Sequence, residues 1–306
     1  MASNIKIAFL GTGGSWPKPG QSLPSVAVQI DDILNLFDCG EGTQKQIMKS
    51  SFSFMKIRNV FITHFHGDHF LGLIGMVQSM SFNGRTEPLN IYGPPGTVPI
   101  MSKALGIGYY KLTFPVELVE IPFGDTVNFE KFKISTMKTD HPVPAMAYKI
   151  SEPDLIKIDG EKARESGIPS KMLEQLRKSG ILNYEGKLIT IEEVSAGIRK
   201  GRIIVYTGDT RPMEEMKLFA KNADILIHET TTDSSYEPKV NEFGHTSSRQ
   251  AAEISRDGNV KKLYLFHYSP RIDDKNVLLN EARRIFENSE LSYEGLEIEV
   301  KPEKAE

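Results

Sequence analysis

Cysteine is almost absent: Cys39 is the only one in 306 residues. A single thiol excludes an internal disulfide and a cysteine-rich structural zinc module, and it fits a reducing compartment. Beside Asp38, it reads as a small packed residue rather than a ligand. Long hydrophobic runs are missing as well. No window approaches 18 uninterrupted apolar residues, and the N-terminus lacks the charged and apolar regions of a secretory signal. A cytoplasmic protein with no membrane partner is expected. Nor is there an excess of positive charge, since 37 Lys and Arg stand against 40 Asp and Glu, a net of −3. The chain is therefore no general nucleic-acid binder, and no DNA partner is expected.

What is present begins with enough apolar residues, 39% of the chain, to bury a substantial core in one large domain or two. Short strands are predicted at 5–10, 25–30, 33–37, 59–63, 89–92, 116–121, 127–137 and 145–150. Helices are predicted at 41–50 and 70–82. Strand and helix alternate again from 202 to 300, and no repeat is evident. Strands mixed with helices suggest sheet layers covered by helices, an α/β (α+β) class.

The seven histidines carry the chemistry. Three fall within His64-Phe65-His66-Gly67-Asp68-His69. A strand alternates its side chains, so His64 and His66 leave its end on one side. Asp68 and His69 sit at the start of the next helix, where the turn swings them towards the same point. Other polar residues also stand where short apolar runs stop: His141, Asp209, His228 with Glu229, and His267. That is the edge at which α/β sheets build sites. His245 differs in opening a helix, in Gly244-His245-Thr246-Ser247.

The run from His64 to His69 resembles the HxHxDH signature of the metallo-β-lactamase superfamily. His141, Asp209 and His267 resemble its remaining ligands in order. Within the superfamily the chain is similar to the ribonuclease Z family, endonucleases that remove 3′ trailers from precursor tRNA. The narrower likeness lies in Phe9-Leu10-Gly11-Thr12-Gly13-Gly14, Phe37-Asp38-Cys39-Gly40-Glu41-Gly42-Thr43, His228-Glu229-Thr230-Thr231 and Gly244-His245-Thr246-Ser247. These motifs span nearly the whole chain. The resemblance implies an αβ/βα four-layer sandwich of two mixed sheets with helices outside. It also implies one such domain over 1–306, with 151–201 an inserted helical arm that binds tRNA.

It further implies two Zn²⁺ per subunit. Nitrogen and carboxylate donors without thiolate suit a catalytic rather than a sealed zinc site, and Mn²⁺ or Fe fits the same donors. His64, His66 and His141 would hold one ion, Asp68, His69 and His267 the other, and Asp209 would bridge them. Asp68 would also serve as general base. His245, its tautomer fixed by Glu229, would protonate the leaving oxygen or hold the phosphate. Asp38 would brace the histidine loop, and His228 reads as structural. Precursor tRNA and a second copy of the chain are the expected partners. The alternative is another hydrolase on the same scaffold, acting on a small phosphodiester or thioester, since fold does not fix substrate. A non-catalytic binding protein would be expected to have lost a ligand, and none is missing.

Residues 151–201 break the strand–helix pattern. Two short helices are predicted there, near 160–166 and 170–179. From 155 to 202 the chain has 10 Lys and Arg against 7 Asp and Glu, leaving 27 against 33 elsewhere. A positive segment on an acidic body fits an arm that grips RNA phosphates. Two departures from the family pattern stand out. The arm reads Ile168-Pro169-Ser170 where a Gly-Pro pair is usual. The early basic loop reads Trp16-Pro17-Lys18-Pro19-Gly20-Gln21-Ser22, without the usual Arg-Asn.

Overall fold

Along Ile5–Gly11, alternate side chains enter two different cores. In the computed structural model, which describes residues 3–303, Ile7 and Phe9 face one apolar cluster while Ala8 and Leu10 face another. A strand buried on both faces sits inside a layered architecture. Residues 3–300 divide into two compact units, one of Ser3–Ser151 with Ile203–Val300 and one of Glu152–Arg202.

The larger unit contains two seven-stranded sheets. The first runs Glu297–Val300, Ile5–Gly11, Ser25–Ile30, Ile33–Phe37, Ile57–Phe61, Leu89–Gly93, Val116–Glu120. It begins as an antiparallel meander, pairing Ile7 with Val28 and Val28 with Asn35. From Ile33–Phe37 onward it is parallel, pairing Phe37 with Phe61 and Phe61 with Tyr92. The second sheet runs Ser289–Leu291, Leu263–Phe266, Ile225–Glu229, Ile203–Tyr206, Met146–Ser151, Lys133–Lys138, Thr126–Asn128, parallel across its first four strands. Ile7, Phe9, Phe37 and Phe61 of one sheet pack with Tyr148, Tyr206, Ile227 and Phe266 of the other. Outside the first sheet lie Leu73, Met76 and Val77 of helix Gly67–Phe82 and Met101 of Thr97–Leu105. Outside the second lie Met216, Ile254 and Leu278, from helices Glu214–Phe219, Ser248–Asp257 and Asn276–Ile285. Helix, sheet, sheet, helix: the expected αβ/βα sandwich. Parallel strands end on a common edge, and that shared direction positions the site.

The strand predicted over 127–137 is instead a hairpin, with Thr126 paired to Ser135. The Phe129 amide donates to the Phe132 carbonyl at 2.9 Å, and their rings stack 4.6 Å apart. No glycine or proline marks this turn, so the apolar run reads as continuous in sequence.

Unit Glu152–Arg202 is not simply helical. Helices Gly160–Glu165 and Leu173–Ser179 lie near the predicted positions, with Asp159 capping the first by accepting from the Glu161 amide at 2.9 Å. Two antiparallel ladders accompany them, Leu155–Ile158 with Ser195–Arg199 and Ile181–Tyr184 with Lys187–Thr190. These strands are too short for their alternation to register, and the first pair is joined only through tertiary contact. The second closes on Glu185 and Gly186, both at positive φ (51° and 79°), as a two-residue hairpin turn with mirror-image geometry requires. Ala163, Ile168, Leu176, Leu182, Ile189 and Val194 give the unit its own core. At its base the Arg202 guanidinium grips the Glu152 carboxylate at 2.6 and 2.8 Å. Among the described residues, no helix is long and apolar enough to cross a membrane.

Candidate metal centre

Strand Ile57–Phe61 ends earlier than predicted and helix Gly67–Phe82 begins earlier, with His66 as its N-cap and Asp68 and His69 in its first turn. Two backbone bonds clamp that turn, from the Cys39 amide to the His69 carbonyl (2.7 Å) and from the Gly72 amide to the Cys39 carbonyl (3.0 Å). The approach needs glycine, since a Cβ on Gly72 would overlap the Gly40 carbonyl.

The turn brings His64, His66, Asp68 and His69 together with His141, Asp209 and His267. Four overlapping groups arise: His64, His66 and His141; His64, His69 and Asp209; Asp68, His69 and His267; and Asp209, His245 and His267. Ligand atoms within each group lie no more than 4.8 Å apart. Nδ1 of His66 is 3.1 Å from Nε2 of both His64 and His141, and Nε2 of His69 is 3.3 Å from Nε2 of His267. Zinc–nitrogen bonds of about 2.0–2.1 Å place two nitrogens on a tetrahedral ion about 3.3 Å apart. The observed spacings fit.

Asp209, only 2% exposed, stands between the clusters. Its Oδ2 lies 3.7 Å from His64 Nε2, while Oδ1 lies 3.4 Å from His69 Nε2 and 3.3 Å from His267 Nε2. Oδ1 is buried with no hydrogen-bond partner. Such an orphaned anionic atom calls for a cation. Asp68 Oδ2 faces His69 and His267 at 3.7 and 3.6 Å and accepts the Ser15 amide at 2.7 Å.

Hydrogen bonds on the far side of the rings orient them. Nδ1 of His69 meets Asp38 Oδ2 at 2.7 Å and Nδ1 of His141 meets the Gly244 carbonyl at 2.9 Å, so each Nε2 turns inward. Asp38 collects three more donors: the Thr63 amide (2.7 Å), the Thr63 hydroxyl (2.9 Å) and the Tyr206 hydroxyl (2.8 Å). Its own backbone is left-handed, φ 55°, which aspartate tolerates. Burial pushes the His64 pKa well down. Burial also works against a charged His69, yet Asp209, Asp68 and Asp38 drive its pKa well up. Burial would raise the Asp68 pKa, but His69 and His267 hold that carboxyl below its usual range. The chamber is built for positive charge. Asp38→Asn is expected to weaken metal retention about 10–100-fold by loosening His69. Titration of the folded variant with a competing chelator checks this; unchanged affinity would remove Asp38 from the role.

Glu229 ends its strand and takes His245 Nδ1 at 3.0 Å, the Thr210 amide at 3.1 Å and the Thr231 hydroxyl at 2.8 Å. Burial opposes charge on His245, but Glu229 and then Asp209 bring its pKa up to about 9. His245 does not itself open a helix; Ser247 caps Ser248–Asp257 two residues later, in a capping box with Gln250. His228 lies outside the four groups and donates from Nδ1 to its neighbour's carbonyl at 2.8 Å.

One residue escaped the sequence reading. The amide of Arg211 donates to the Asp140 carbonyl (2.9 Å), and its guanidinium reaches Asp140 Oδ1 (2.8 Å) and the carbonyls of Asn241 (2.5 Å) and Glu242 (2.8 Å). It ties together the loops bearing Asp209, His141 and His245. Only its place directly after Gly208-Asp209-Thr210 hinted at this.

Fold and site define a metallo-β-lactamase-fold hydrolase with a divalent-metal centre. The B. subtilis metallo-β-lactamase-fold protein YhfI superposes with a TM-score of 0.72 at 21% identity, over 97% of this chain and 100% of that one. The short form of human tRNase Z superposes at 0.71 and 24%, over 96% and 98%. These share the fold. The family described as anti-Pycsar protein Apyc1 matches residues 5–152. Ribonuclease Z of Thermoplasma acidophilum is 62% identical over 98% of both chains, and that of Methanosarcina mazei 38% identical over 97% of this chain and 98% of its own. The chain belongs to the ribonuclease Z family.

Proposed function

We propose that the protein is a zinc-dependent endoribonuclease that removes the 3′ trailer from precursor tRNA. The observation that carries this is Asp209, whose two oxygens face two separate histidine clusters. In this reading His64, His66 and His141 would hold one ion and Asp68, His69 and His267 the other, with Asp209 able to serve both. Divalent ions held there would lower the pKa of water towards neutrality and offset charge on the phosphate. Asp68 orients the attacking water and accepts its proton. The water oxygen joins phosphorus as the bond to the ribose 3′ oxygen breaks. His245, its Nδ1 committed to Glu229, donates a proton from Nε2 to that leaving oxygen. The products are a tRNA with a 3′-hydroxyl and a trailer with a 5′-phosphate.

The test is incubation of purified protein with one labelled precursor tRNA, with and without chelator, mapping the cut to a nucleotide. Cleavage just after the discriminator base, lost on chelation, is expected. Turnover of a small phosphodiester or thioester with no cut in the RNA would replace this reading. Zinc is read from the donor set; Mn²⁺ or Fe would satisfy it too. The reading extends to a cytoplasmic homodimer, which the mass in solution checks.

Unit Glu152–Arg202 is, in this reading, the arm that grips tRNA. Ser151 and Ile203 pair directly in the second sheet, so the segment can be cut out between paired ends. Deleting residues 155–200 is expected to weaken cleavage of precursor tRNA while sparing a small phosphodiester. Equal loss on both substrates would make the segment part of the catalytic fold.

A further inference from the structure

Trp16 is the chain's single tryptophan, and half of it (50%) is exposed. Exposure alone says little, since several other large apolar side chains of this protein are equally open; what sets Trp16 apart is where it stands. Its backbone is tightly placed. Ser15, the residue before it, adopts φ 67° and donates its amide to Asp68 Oδ2 at 2.7 Å. The Gly14 amide donates to the Tyr268 carbonyl at 2.9 Å, and a Cβ on Gly14 would run into the His267 imidazole. Successive Cα atoms are about 3.8 Å apart, so the indole springs from the very rim of the metal chamber.

One cation faces it, and two lysines lie on adjoining segments. The Arg271 guanidinium faces the indole at 6.0 Å and makes no ion pair among the described residues. Lys18 holds the Pro270 carbonyl at 2.5 Å and meets Asp273 at 3.4 Å. Lys275 lies 4.6 Å over the Tyr268 ring. An open aromatic face flanked by positive charge is the arrangement by which proteins hold single-stranded nucleic acid: bases stack on the ring while cations follow the backbone.

We propose that Trp16, backed by Arg271, is a stacking platform for an unpaired nucleobase next to the scissile phosphate. The inference rests on the endoribonuclease reading and adds to it how the RNA is held at the cut. Selection is for an unpaired base rather than a particular one, since every base has a π-face.

With no second tryptophan, the protein's indole emission reports this ring alone. The holoenzyme is titrated with a trailer-free tRNA transcript, the reaction product, and with the same transcript made abasic at its last two residues. Emission should fall with the intact transcript and hold steady with the abasic one at matched saturation, judged by anisotropy of a labelled RNA. Trp16→Leu should bind the intact transcript about tenfold more weakly, and Trp16→Phe should recover most of the loss. Unmoved emission at saturation, or wild-type affinity in Trp16→Leu, overturns the platform while normal precursor cleavage leaves the parent reading intact. A wild-type protein that cannot cut precursor tRNA removes both.

Discussion

Asp209→Ala is expected to empty the chamber of metal and abolish cleavage. The carboxylate faces both clusters, one oxygen to each, 3.3 Å from His267, 3.4 Å from His69 and 3.7 Å from His64. On the proposed reading, its removal would take a donor from each of two ions and cancel the charge that offsets repulsion between them. The loss should therefore exceed the about 10–100-fold that an outer hydrogen-bond partner costs. Metal content per chain and cleavage of precursor tRNA, measured on the same preparation, decide the matter. A variant that keeps its full metal and rate would end the shared-ligand assignment. Asp68→Ala should behave differently, losing turnover more than RNA binding, because Asp68 faces one cluster and, in the proposed reading, would also handle the water.

The second large effect falls on His245. His245→Ala should lower kcat about 10²–10⁴-fold, the range of general acid catalysis, with metal content unchanged. A proton donor matters most where the leaving group is a poor one. A ribose oxygen needs that proton, whereas a nitrophenolate leaves without it. The loss should accordingly be much smaller on a nitrophenyl phosphodiester than on precursor tRNA. Glu229→Gln should follow the same pattern with a smaller amplitude, since its carboxylate aims the Nδ1 side of the ring at 3.0 Å. Equal losses on the two substrates would recast His245 as a phosphate-holding or structural residue.

These residues lie at the sheet edge, beside the apolar core rather than among its members. Phe61 stacks between Phe37 (5.1 Å) and Tyr92 (4.8 Å), and Tyr148 and Tyr206 close over the other side of this cluster. Burying each such ring stabilises the sandwich by about 1.5–3 kcal/mol. The buried polar network around Asp38 begins where this apolar layer ends. Tyr206 belongs to both, with its ring in the core and its hydroxyl on Asp38.

Local chemistry was readable from the chain because it is written in short spans. The motif from His64 to His69, the ends of the apolar runs, and the order of His141, Asp209 and His267 all predicted groups that the structure does bring together. So did the layered α/β class, since strand and helix periods differ at a scale of a few residues. What failed had no local mark. The 126–138 hairpin turns without glycine or proline, and the ladders of unit Glu152–Arg202 rest on strands of four or five residues. Arg211 could not be matched to Asn241 and Glu242 from sequence, because those partners are met only after the chain has crossed another strand.

The sequence by itself determined which donors exist: seven histidines, the carboxylates beside them, one thiol that takes no part, and a charge balance that rules out a generally basic surface. Tertiary structure alone decided that Asp209 offers one oxygen to each cluster, that Asp38 gathers four donors, and that Trp16 stands open at the rim. Identity is a property of single residues. Geometry is set by parallel strands ending on a common edge, and that arrangement exists only when two sheets have packed.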